Sequence, residues 1–158
     1  MTFLGRVMDK HAYKSSQREK LIEHLFIGEL LKINWLGKGP DLEISKPEVD
    51  SAGYDFVAEI GDIIRHIQLK ATKIGARAVS QNCHLALGNK PSGCVVWIYF
   101  TEGTLSLGPF LYYGGDPKQR LPDICGFKIT KHARANAQGI KSERPDHRRI
   151  PKSKFARF

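Results

Sequence analysis

The chain has 158 residues, 41% of them hydrophobic, which is enough for a packed core and excludes a disordered chain. No apolar run approaches the roughly 20 residues a membrane span needs, and Met1–Lys10 has no apolar core followed by a small-residue cleavage site. The expectation is one cytoplasmic domain over residues 1–158 with no membrane association.

Charge is unevenly placed. The formal net charge is +9, and ten of the 25 Lys and Arg but only two of the 16 acids fall in the segment 128–158. A near-neutral body with a basic C-terminal segment suggests a polyanionic partner, above all nucleic acid. The three cysteines, Cys83, Cys94 and Cys125, are odd in number and lack CxxC spacing, which argues against a disulfide framework and a structural zinc site.

In chain order, Ser16 followed by Glu19 has capping-box spacing and predicts a helix start, with the helix running to about Ile33. Ile22, Leu25, Phe26 and Ile33 form its apolar stripe. Glu29 falls on that stripe, where a carboxylate is costly unless paired. Residues 47–53 read as a loop. Tyr54–Glu59 and Ile63–Ala71 read as a hairpin around Gly61-Asp62.

On the second strand, Gln68 and Lys70 project to one face and Ile67 and Leu69 to the other. Cys94–Phe100 is continuously apolar and predicts a central strand. Leu105–Tyr113 predicts a fourth, with Gly108-Pro109 marking an edge or a bulge. A second helix is expected at Lys131–Gln138, and Ile140–Phe158 reads as loop or a short helix. The fold class is therefore α/β (α+β): a central mixed β-sheet flanked by helices.

A carboxylate, an amide oxygen and an ammonium group on one surface can hold a divalent metal and position water beside a phosphate. The order is a helix with an inward Glu, an Asp on a strand, then Gln-x-Lys on the next. It resembles the PD-(D/E)xK nuclease superfamily over about residues 15–100. The resemblance implies a restriction endonuclease-like core and a metal-dependent endonuclease hydrolysing phosphodiester bonds in DNA.

By position it implies Asp55 as metal-binding Asp, Lys70 as the residue that orients the attacking water, and Glu29 as the helix-borne acid. Gln68 stands where the family usually carries Glu or Asp. The implied cofactor is Mg²⁺ or Mn²⁺, held by Asp55, Gln68 and Glu29, with the Leu69 carbonyl as a further ligand. Asp50 and Glu59 are alternative acids, ranked behind Glu29.

Thr72 and Lys73 can reach a phosphate backbone, as can Arg144, Arg148, Arg149, Lys152 and Lys154. His66 shares the face of Gln68 and Lys70, while Tyr54, Trp97 and Tyr99 read as core. A homodimer is implied by resemblance to nucleases that cut two strands as a pair. The alternative, prompted by Gln68, is a catalytically inactive nucleic-acid-binding module on the same scaffold.

Overall fold

The computed structural model describes the backbone of residues 3–158 and the side chains from residue 14 on. Among the described residues there is one α-helix, α1 (Phe3–Leu36), and nine strands. The strands are β1 (Leu42–Ser45), β2 (Phe56–Ile60), β3 (Ile63–Lys73), β4 (Ser80–His84), β5 (Gly93–Phe100), β6 (Leu107–Gly114), β7 (Ile129–Lys131), β8 (Glu143–Pro151) and β9 (Ala156–Arg157).

Six strands form one sheet in the order β1-β2-β3-β5-β6-β9, and three form a second in the order β4-β8-β7. The first sheet is mixed: β3 and β5 run parallel, and its other pairings are antiparallel. A parallel pair needs a crossover. Here β4 and a 3-10 turn at Leu85–Asn89 lie in that connection, so the crossover itself supplies a strand to the second sheet.

Three layers follow. On one face of β5, Cys94, Val96, Ile98 and Phe100 pack with Ile22, Phe26 and Ile27 of α1. On the other, Val95, Trp97 and Tyr99 pack with Cys83 of β4 and Ile150 of β8. Every residue of β5 is buried because both faces are covered, which is why the strand is continuously apolar. The hairpin lies in the expected register, with Phe56 opposite Ile67 and Gly61 at φ +59° in its turn. The β5–β6 register shifts between Ile98 and Phe100, the irregularity that Gly108-Pro109 signalled.

Three expectations are corrected. The helix begins at Phe3, so Ser16 is a mid-helix residue and caps nothing. No second helix forms at 131–138, where every residue is exposed and no apolar face exists to bury. Asn136 captures that backbone instead, its Oδ1 accepting from the N–H groups of Gln138 (3.0 Å) and Ile140 (2.8 Å). Finally, residues 143–151 form β8. That strand is held by ladders to β4 and β7 and by fully buried Ile150, not by an alternating pattern of its own.

Candidate functional site

A groove of about 510 Å³ opens between α1, the start of β2, β3 and β4. Each wall has a local cause. Gly53 takes φ +75°, and a Cβ there would stand 2.6 Å from Cβ of His84, so the chain entering β2 passes against the end of β4 as only glycine can. That turn delivers Asp55 one residue ahead of the Phe56–Ile67 pair, across from Gln68. On β3, alternation places Gln68 and Lys70 together, on the side of the sheet where β5 presents Val95 and Trp97.

Asp55, Gln68 and Lys70 all line the groove. Asp55 Oδ2 accepts a 2.6 Å hydrogen bond from the Leu69 N–H. Burial pushes the Asp55 carboxyl above its ordinary pKa, against the opposing pull of the Leu69 N–H and of Lys70. Burial likewise lowers the Lys70 pKa, with Asp55 pulling the other way. A carboxylate and an ammonium are thus both held partly desolvated in one groove, the condition under which titratable groups are poised for chemistry. Gln68 Oε1 is buried with no protein donor on it.

The acid on the helix is a correction. Glu29 is exposed, pairs with Lys32 at 3.1 Å, and lies beside a different groove. Glu23 takes the inward place: it is 5% exposed and lines the Asp55 groove, as does Glu19. Burial pushes the Glu23 carboxyl up, but hydrogen bonds from Lys46 and Lys20 outweigh it and hold the pKa below the ordinary value. Of the other acids considered, Asp50 lines the groove, whereas Glu59 is exposed and faces Glu43 across β1–β2.

The remaining candidates scatter. Thr72 is buried, its hydroxyl accepting from Trp97 Nε1 (2.9 Å) and Gln81 Nε2 (3.3 Å), so it braces the groove wall and does not face a backbone. Lys73 is exposed and paired with Glu102 at 3.2 Å. Arg144 bonds His147 Nε2 at 3.0 Å, and Arg148 bonds the carbonyls of Pro145 (2.6 Å) and Cys125 (3.4 Å). Arg149 is exposed, with two bonds to Ser80 Oγ.

Lys152 lies 4.9 Å from the ring centroid of Tyr99, and Lys154 is exposed. His66 stacks edge-on to Tyr54 outside the groove. Trp97 and Tyr99 are core residues, as expected. Sequence reasoning missed Gln81, Glu19 and Glu23. The two acids were findable, since they repeat at i,i+4 with Ile27.

Among the described residues no three His, Cys, Asp or Glu side chains converge as a ready-made metal cluster. The donor set nevertheless fits a hard cation. Mg²⁺ keeps several waters and needs only one or two carboxylates plus substrate phosphate. A carboxylate raised by burial beside an orphaned amide oxygen is a place where positive charge is wanted. Cys83 and Cys94 are buried, and burial pushes their thiols up to about 12 and about 11, which excludes them as nucleophiles near neutrality. Among the described residues no helix is long and apolar enough to cross a membrane. No protein-family model matches the chain, and no curated protein or solved structure matches it either.

Proposed function

We propose that this protein is a metal-dependent endonuclease hydrolysing phosphodiester bonds in DNA, on a restriction endonuclease-like core of the PD-(D/E)xK kind. The observation that carries the reading is the convergence of Asp55, Gln68 and Lys70 in one groove, with the buried Gln68 amide oxygen unpartnered. Asp55 and Gln68 would hold Mg²⁺ or Mn²⁺, which when bound polarises the phosphate and acidifies its water.

Lys70 supplies a compact positive charge that orients the attacking water and stabilises charge building on the phosphate oxygens. Asp55, fixed by the Leu69 N–H, holds its carboxylate in one orientation. Glu23 is neutralised by Lys20 and Lys46, so it acts on the site as part of a fixed charge network and not as a free ligand.

Gln68 favours one second reading, an inactive nucleic-acid-binding module, because an amide binds Mg²⁺ more weakly than a carboxylate and cannot serve as a base. Cleavage of supercoiled, linear and branched DNA with Mg²⁺ or Mn²⁺, with EDTA and Lys70→Ala controls, separates the two. Metal-dependent cutting that falls at least 100-fold in Lys70→Ala supports the nuclease. Binding without cutting under either metal supports the inactive module.

A further inference from the structure

We infer that the second sheet carries a separate phosphate-binding subsite that grips the backbone of duplex DNA away from the reacting phosphate. Its link to cleavage rests on the nuclease reading; its binding does not. A groove of about 560 Å³ runs along β4 and β7. Four permanent cations line it, Lys128, Lys131, Lys141 and Arg149, and no acid does. The acid closest in register is Glu143, exposed and paired across the ladder with Lys131.

The groove floor is built. Thr130 is 1% exposed and its hydroxyl bonds Asn82 Oδ1 at 3.1 Å. Ser80 Oγ accepts from both Nε and Nη2 of Arg149, which fixes the plane of the guanidinium. Four like charges gathered on a folded wall repel one another, and an anion lying among them removes that cost.

Two features identify the anion. Gln81 lines both this groove and the one holding Asp55 and Lys70, so a chain of phosphates can pass from one to the other. No phenylalanine, tyrosine or tryptophan lines it, so it offers no platform on which unpaired bases stack. Lysines, an arginine and hydroxyl or amide groups contact phosphate and sugar, which carry no sequence information directly. The ligand is duplex DNA read by its backbone.

The test is fluorescence anisotropy with a labelled 24-base-pair duplex and its single strand, in EDTA, over a NaCl series. The variants are Lys128→Ser/Lys131→Ser/Lys141→Ser and, for equal charge loss elsewhere, Lys32→Ser/Lys38→Ser/Lys118→Ser. Each phosphate contact contributes about 0.9 to the log–log salt slope on B-DNA. The groove variant should therefore lose about 2–3 from the slope and at least tenfold in affinity at 0.1 M salt, with the control near wild type.

An unchanged slope, an equal loss in the control, tighter binding of the single strand, or a wild type that does not bind duplex overturns the subsite. The two proposals fail separately. A wild type that never cuts but whose groove variant loses binding sinks only the nuclease. A wild type that cuts and a groove variant that binds as before sink only the subsite.

Discussion

Asp55 and Lys70 both hold charge where the fold disfavours it. Asp55 is pushed above the ordinary value of 3.8 by burial. A carboxyl whose folded pKa is raised binds more protons folded than unfolded, so its contribution to stability falls as pH rises through that pKa. The penalty is absent well below the ordinary value of 3.8 and sets in as pH rises toward the raised one. Asp55→Asn keeps an oxygen for the Leu69 N–H and removes the charge. It should raise stability and the melting temperature at pH 7 while abolishing metal-dependent cleavage. Thermal melts at pH 7 and pH 3.5 check this, since the gain must disappear in acid. Gln68 belongs to the same logic: the residue type was legible in the sequence, but its orphaned oxygen became visible only when the groove closed around it.

On α1 the sequence was readable in kind and misleading in phase. The apolar residues allow two stripes, one through Leu25, Glu29 and Ile33 and one through Ile22, Phe26 and Leu30. The sheet covers the second, together with the adjoining Glu23 and Ile27, and leaves Leu25 and Ile33 38% and 66% exposed. The chosen face decides which glutamate lines the candidate groove. Glu29→Gln should leave cleavage within twofold and stability within about 0.5 kcal/mol, as for an exposed ion pair. Glu23→Gln should lower cleavage and cost about 1–3 kcal/mol, because it weakens a buried, doubly bonded carboxylate. Paired kinetics and urea titrations of the two variants decide the assignment, and equal effects at both positions would sink it.

Across the whole molecule, β5 is the layer on which both faces depend. Ile98 is fully buried against the helix layer and Trp97 against the second sheet. Ile98→Ala should cost about 2–5 kcal/mol, a large part of the 5–15 kcal/mol typical of a folded chain, read as a fall in the denaturation midpoint. The sequence alone determined what rests on local pattern: the β2–β3 hairpin, the continuously apolar β5, the irregularity at Gly108-Pro109 and the pairing of Gln68 with Lys70 on one face. Period-2 alternation, an unbroken apolar run and turn residues mark these in the local sequence. Tertiary structure decided what depends on which surfaces meet. It selected the face of α1, and with it Glu23 over Glu29. It drew the polar residues 80–84 and 143–151 into strands whose ladders and single buried anchors leave no periodic trace. By folding the basic segment into the second sheet, it turned an apparent tail into a wall of a groove that shares Gln81 with the candidate site.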